Sequence, residues 1–375
     1  MHLLRSRFLA LAALAPFCLG SVARAQSVLD QAQHLPVTPP LAAPGEGTEA
    51  PRLELETNRQ SQSDGHSVFV GGIALTGLQA LSPADFADIL ASRVSRTLSP
   101  DELEALATAI AARAREKGYV FAAAWIEPQQ LDTGVLVVCV DEGRIDEIEI
   151  EGHQDRAIQA ALAPLQTGKP VTLAELERRL LLAGDLGGVR ISSSRFVRRQ
   201  GKGVLVLKAS FDKVSGYAMV ANEGTRPLGP LQATMQAEVH ALITAGDSFW
   251  LTWSGTPTEP GELQFARLHY EKRISASGAD LSVNASYAHA APGSYLTAED
   301  LRSRNWMVGL ALSQPLLRRR NTSFWLQLEL MMQDLSQDRQ GVLVRSERVV
   351  TGRASVNGYG NVLGGRLRGG VSLTQ

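Results

Sequence analysis

Apolar and polar positions follow two different rules along this chain, and the change comes near residue 214. Between Val68 and Asp141 the pattern reads strand, helix, helix, strand, strand. Val68-Phe69-Val70, running on to Leu75, predicts the first strand, and Ser82-Pro83 opens a helix with Phe86, Ile89 and Leu90 on one face. Ser99-Pro100-Asp101-Glu102 has the form of a capping box with proline at the first helical position. Behind it Leu103, Leu106, Ala107, Ile110 and Ala114 keep the 3.6-residue period of an amphipathic helix. Gly118 ends that helix, and Tyr119 to Glu127 with Val135 to Asp141 predict a strand pair. The same order recurs from Arg144 to Asp212. Ile145, Ile148 and Ile150 mark a strand, Ile158 and Leu162 a helix, and Thr172-Leu173-Ala174-Glu175 a second capping box ahead of Leu176, Leu180 and Ala183. Val189 to Val197 and Val204 to Phe211 then give the closing strand pair. The two boxes begin 73 residues apart, at Ser99 and Thr172, so the βααββ unit is an internal duplication.

From Val214 onward the helical period is replaced by alternation of two. Leu231, Ala233, Met235, Ala237, Val239 and Ala241 interleave with Gln232, Thr234, Gln236, Glu238 and His240. Leu281, Val283, Ala285 and Tyr287 interleave with Asp280, Ser282, Asn284 and Ser286, and Phe324 to Met332 repeats the pattern around Gln327 and Glu329. Strands of roughly ten to sixteen residues exceed the five or six usual in soluble sheets. They suit a tilted crossing of a bilayer, which takes about nine to eleven. Longer polar connections at Glu223 to Gly229, Gly255 to Gly261, Pro292 to Arg304 and Ser336 to Gly341 alternate with tight turns. The turns fall near Ala245-Gly246, Ser275 to Gly278, Arg318 to Asn321 and Gly358 to Asn361. A soluble β-sandwich is the competing architecture, and strand length favours a barrel. On that reading Gln232, Gln236, Glu238, Asn284, Gln327 and Glu329 face a watery lumen. The predicted fold class is therefore α+β joined to all-β, with two tandem βααββ units followed by an antiparallel transmembrane β-barrel.

Composition narrows the function. Apolar residues make up 44% and charged residues 20%, a globular balance. The 37 basic and 38 acidic residues nearly cancel, which argues against a nucleic-acid partner. Arg5 and Arg7, the apolar run Phe8 to Gly20 and Ala23-Arg24-Ala25 form a three-part export signal over residues 1–25. Loss of Arg5, Arg7 and Arg24 with it moves the formal charge from -1 to about -4. Residues 26–67, with Pro36, Pro39, Pro40, Pro44 and Pro51, read as an extended linker. Ser27 to His34 within it is a possible short plug helix. Cys139, the one cysteine after the leader, reads as a buried core thiol, and the seven histidines show no metal-ligand spacing. Neither a nucleophile elbow nor a P-loop is present: Gly168-Lys169 continues to Pro170. No enzyme, cofactor or metal centre is expected. Arg195, Arg198, Arg199 and Lys202, and again Arg318 to Arg320, cluster at turns and are read first as solvated charge.

The order of parts resembles the two-partner secretion transporters of the haemolysin secretion/activation type, over residues 28 to 375. The βααββ units, at 68–142 and 143–213, resemble polypeptide-transport-associated (POTRA) domains, and 214–375 the first part of the family's barrel. The resemblance is carried by Val70 to Gly77, Leu181 to Val189, Asn222-Glu223-Gly224 through Gly229, and Ser313 to Asn321. It implies an outer-membrane transporter with periplasmic POTRA domains and outer-membrane lipids around it. Its partner would be a large secreted exoprotein of adhesin, haemolysin or contact-dependent toxin type. That client would dock on the POTRA pair by strand addition and thread through the barrel without nucleotide hydrolysis. The expected groove lies between the strand with Ile191, Ser193, Arg195 and Val197 and the helix with Leu176 and Leu180. For Leu176 and Leu180, core packing competes strongly with that role. The family closes sixteen strands, whereas 214–375 supplies eight or nine, so a C-terminally truncated form is expected. An outer-membrane assembly insertase, a periplasmic POTRA binding module and a passive porin are the alternatives.

Overall fold

The computed structural model describes residues 67–129, 134–362 and 364–375, together with the backbone of residues 52–55. The leader, the possible plug helix and most of the proline-rich segment lie outside the described residues.

Unit 1 begins with a break that the sequence pattern does not show. The strand expected from Val68 to Leu75 is two strands, β2 (Val68–Val70) and β3 (Gly72–Thr76), in different sheets. The amides of Gly71 and Gly72 both donate to the Gly134 carbonyl, at 2.7 and 3.1 Å, and this fork redirects the chain. β2 pairs with β4 (Arg96–Leu98), while β3 lies parallel to β6 (Val135–Asp141), which also carries the short β5 (Ala123–Trp125). Helices α1 (Ala87–Ala91) and α2 (Pro100–Glu116) flank them. The Ser99 box forms in full: Ser99 Oγ accepts from the Glu102 amide, and Glu102 accepts from the Ser99 amide at 2.9 Å. Phe86, Leu98, Leu106, Ile110, Leu136 and Val138 make a core of their own. Cys139 sits half-buried on β6 as a free thiol.

Unit 2 contains β7 (Glu147–Gly152), α3 (Arg156–Leu162), α4 (Leu173–Gly184), β8 (Val189–Arg199) and β9 (Lys202–Phe211). Its second capping box closes only halfway. Thr172 accepts from the Glu175 amide, but the Glu175 carboxylate turns to Arg179, one helical turn on, at 2.6 Å. The sheet order is β1-β8-β9-β7, and its first member, β1 (Arg52–Leu55), comes from the segment read as an extended linker. β1 runs parallel to β8, with Arg52 opposite Ser193 and Leu55 opposite Phe196.

The remaining nine strands form one antiparallel meander in sequence order. They are β10 (Val214–Ala221), β11 (Gln232–His240), β12 (Asp247–Gly255), β13 (Leu263–Arg273), β14 (Asp280–Ala290), β15 (Leu301–Arg318), β16 (Thr322–Arg339), β17 (Val342–Val362) and β18 (Gly365–Thr374). β10 and β18 do not pair with each other, so the sheet is open. Two predicted connections move. Gly358 to Asn361 lies inside β17, and the long loop expected from Ser336 to Gly341 shrinks to Gln340-Gly341. Both residues have positive φ (51° and 73°), the two-residue turn that matches strand twist. Register then sorts the faces. Gln236, Thr252, Arg267 and Ser286 align across β11 to β14, while the neighbouring row is Ala237, Leu251, Leu268 and Ala285. The second face carries exposed Met235, Leu251, Val308, Leu310, Leu330 and Met332, a continuous apolar surface of the kind that faces lipid. Tyr287 and Trp306 pack on that face with ring centroids 4.4 Å apart, as in an aromatic girdle.

Candidate functional site

The site is a two-unit arm fastened at both ends, and the fastenings explain why residues distant in sequence meet. Between the units, the segment predicted as strand from Tyr119 instead turns, and Phe121 enters the core of unit 2. Its ring stacks on Phe196 at 3.9 Å with the planes 17° apart. Arg198 lies over Phe196, donates to the Phe121 carbonyl and pairs with Asp141 at 3.0 Å. Backbone bonds add to this, from Val171 to the Gly143 carbonyl and from Leu173 to the Gly118 carbonyl, both 2.9 Å. A side chain at Gly143 would place its Cβ 2.4 Å from that of Phe121, so glycine is required there. Glu142, 2% exposed, accepts from the amides of Gln79, Ala80 and Leu81 and holds the loop above the junction. A polar cleft of about 790 Å³ lies between the units, lined by Trp125, Glu142, Arg144 and Arg198 among others.

At the other end, α4 lies against the turns of the nine-stranded sheet. Arg318, at the end of β15, makes a bidentate pair with Asp185 at the C-terminus of α4, at 2.7 and 2.8 Å. Both side chains are buried, and Arg318 also donates to Ser323 and to the Tyr359 hydroxyl. Arg179 donates to the Ala276 carbonyl at 2.7 Å, and Arg273, itself paired with Asp280, donates to the Leu182 carbonyl. A Cβ at Gly278 would stand 2.5 Å from Leu182, and one at Gly188 2.7 Å from the His240 ring. Burial of Arg178 against the turn lowers its pKa, with Arg179 beside it acting in the same direction. Leu181 to Val189 and Ser313 to Arg320, two of the segments that carry the sequence resemblance, are thus one junction in space.

The comparisons with known proteins agree with this geometry. Residues 68–143 match the ShlB-type POTRA domain family. The heme/hemopexin transporter protein HuxB of Haemophilus influenzae (strain 86-028NP) is 24% identical over 272 residues, covering 71% of this chain and 48% of HuxB. A second HuxB from Haemophilus influenzae is 23% identical over 286 residues, covering 74% of this chain and 50% of the relative. The solved structure of CdiB from Escherichia coli superposes with a TM-score of 0.65 at 20% identity, covering 93% of this chain and 65% of that one. These similarities support the resemblance to the two-partner secretion transporters. It spans about half the length of the curated relatives it matches.

Unit 1 (POTRA1) thus matches a ShlB-type POTRA domain, and unit 2 (POTRA2) repeats its order of elements. Of the residues expected to form the client groove, Leu176 and Leu180 are core residues of POTRA2, 1% and 3% exposed. Ile191 departs as well, because a β-bulge between Ile191 and Ser193 shifts the alternation. Ile191 therefore points into the core, while Ser193, Arg195 and Val197 share the opposite face. On that face Val197 is buried with Val204 and Val206, and Arg195 is exposed. The four were grouped by a period of two, which one extra residue defeats. Edge occupancy differs too: β1 covers β8 from Ser193 to Phe196. The six polar residues expected in the lumen lie on one face of the sheet by register. There Gln236 accepts from Thr252, Glu238 from Ser215 and Gln327 from Asn357, while Asn284 bonds to His269 and Glu329 pairs with Arg353. Asp185 and Phe121 escaped the sequence reading. Each acts on a partner more than seventy residues away, and no local pattern marks such a pair.

Proposed function

We propose that this chain serves as the transporter of a two-partner secretion pair. Its POTRA arm receives a large exported protein in the periplasm, and its strands form wall of the path to the cell surface. One observation carries the reading. Both POTRA domains are fixed to each other, and POTRA2 is fixed through the buried Asp185–Arg318 pair to a sheet with one polar and one apolar face. A receptor held this way delivers an extended chain to a constant position beneath the strands. The relatives support a transporter: HuxB is a heme/hemopexin transporter protein, and CdiB shares the fold. The polar lumen face offers no apolar trap to a threaded chain, and folding of the emerged client outside biases the movement.

The test is secretion. A candidate large exported protein, co-expressed with this chain, should reach the medium or cell surface only when this chain is present. Arg318→Ala should leave it in the periplasm. Equal export with and without the chain would sink the reading. Alkaline washing of membranes should leave the chain with the outer-membrane fraction.

A further inference from the structure

We infer that the three turns at the POTRA2 end of the sheet carry an aliphatic rim, centred on Leu242 and Ile243, that sits in the headgroup layer of a phospholipid surface and holds POTRA2 at a set depth beneath it. The inference rests on the reading of the strands as membrane wall, and it adds which residues meet the lipid surface and what they hold in place.

The turns span residues 241–246 between β11 and β12, 274–279 between β13 and β14, and 319–321 between β15 and β16. The Arg273 amide donates to the Gly246 carbonyl at 3.2 Å, and a Cβ at Gly278 would stand 2.7 Å from Pro315, so neighbouring turns touch and form one edge. POTRA2 packs against that edge. A Cβ at Gly246 would lie 2.8 Å from that of Ala157 in α3, and Asp185 at the end of α4 holds Arg318. What POTRA2 leaves uncovered is apolar. Ile243 is 71% exposed and Leu242 51%, and Ile274 and Leu316, beside the next two turns, are exposed as well. Single exposed aliphatic residues are ordinary on a surface, but four along one edge form a patch that calls for an occupant.

Continuity with the apolar face of the sheet identifies that occupant as lipid. The fully buried Asp247 carboxylate accepts from the amides of Leu242, Ile243 and Thr244, at 2.8, 3.1 and 2.6 Å. It also accepts from the Thr244 hydroxyl at 3.2 Å and from the Tyr270 hydroxyl at 3.1 Å. Tyr270 belongs to the row Val239, Phe249, Tyr270 and Val283, one step along the apolar face from Ala237, Leu251, Leu268 and Ala285. One carboxylate with five donors therefore builds the turn onto the lipid-type face and keeps Leu242 and Ile243 on display. Lys272 stands opposite Asp247 at the same level. A lysine there keeps its stem in apolar surroundings and its ammonium among lipid phosphates. Aliphatic tips, a tyrosine hydroxyl and a lysine at one level are the residue set of a membrane interface. Because the same turn packs on α3 through Gly246, the lipid surface and POTRA2 share one support.

The experiment uses the full chain, with Cys18 and Cys139 replaced by serine, inserted into vesicles of phosphatidylethanolamine and phosphatidylglycerol. Ile243→Cys, Leu251→Cys and Ala298→Cys each carry an environment-sensitive NBD fluorophore, and nitroxide lipids quench at two depths. The label at 243 should emit further to the blue than the label at 298 and be quenched most by a nitroxide near the headgroup. The label at 251, in the middle of the apolar face, should be quenched most by a nitroxide deep in the acyl chains. A quenched label at 251 with an unquenched one at 243 overturns the rim and leaves the membrane wall standing. No quenching at either position overturns both. The depth of POTRA2 has its own readout. Leu242→Asn with Ile243→Asn keeps every backbone amide that Asp247 accepts, so the turn still folds, and the label at 251 reports insertion. Trypsin should cut this variant at the exposed Lys213, between POTRA2 and β10, severalfold faster than the unaltered chain. An equal rate overturns the role in holding POTRA2.

Discussion

The two POTRA domains share an order of elements but differ in how much of their structure is their own. POTRA1 closes its core with its own residues, around Phe86, Leu106, Ile110 and Val138, and its strands are short. POTRA2 takes Phe121 into its core from POTRA1, takes β1 into its sheet from the segment before POTRA1, and gives Asp185 to the barrel strand β15. Duplication supplied two copies of one unit, and position then made them unequal. The copy next to the long strands became the part to which the neighbouring segments are tied. Damage to POTRA1 should therefore stay local, whereas damage to the ties of POTRA2 should spread.

The largest effect that would test this is at Arg318. Arg318→Ala leaves the Asp185 carboxylate buried without its fork of donors, and breaking a buried pair in that way costs about 3–5 kcal/mol. The loss should appear as protease cleavage between POTRA2 and the barrel strands and as failed export, while POTRA1 keeps its hydrogen-exchange protection. Arg318→Lys should restore little, because an ammonium cannot meet both carboxylate oxygens along with Ser323 and Tyr359. Equal protease resistance in Arg318→Ala would show that the backbone contacts at Ala276 and Leu182 suffice. Phe121→Ala comes next. It removes a buried ring from the Phe196 stack, at about 3 kcal/mol, the low end for such truncations because the site lies at a junction that can close. Although the residue belongs to POTRA1 in sequence, exchange should rise mainly in POTRA2. Faster exchange confined to POTRA1 would break the comparison.

Much of this architecture was legible in the sequence, and the exceptions share a cause. The duplicated unit, the two capping residues and a run of eight or nine strands follow from local periodicity, so Ser99 and Thr172 could be read directly. Ser99→Ala should accordingly have a local and smaller effect, about 1 kcal/mol on POTRA1 and no change at the barrel. A loss of export in that variant at unchanged protein level would show POTRA1 to be coupled to transport more tightly than its separate core suggests. The features that sequence did not reveal are pairings over distance. β1 on β8, Phe121 on Phe196 and Asp185 on Arg318 each need a fold before the partners are neighbours. The grouping of Ile191 with Ser193, Arg195 and Val197 failed for a different reason. A bulge adds one residue to a period of two, and a strand pattern carries no sign of where that happens.

The smallest effect tests the independence of POTRA1 through pH. Asp85, at the first turn after Ser82, accepts from the Ser82 amide at 2.9 Å and its hydroxyl at 3.0 Å, and pairs with Lys117 at 2.9 Å. The amide bond foremost, then Lys117, lowers its pKa from 3.8 to about 2. Asp88 beside Arg113, and Glu102 accepting from the Ser99 amide, are lowered in the same direction. The sign follows from linkage. In the unfolded chain these carboxyls take up protons at higher pH than in the folded domain, so their contribution is complete above about pH 5 and disappears as the pH falls toward 2. Amides of α2 should thus exchange faster as the pH is lowered through that window, after correction for the intrinsic rate. Asp85→Asn should flatten the response without altering exchange at neutral pH by more than the loss of one exposed ion pair. If POTRA2 amides follow α2 in step through the same window, the two domains open as one unit, and the independence of POTRA1 is lost.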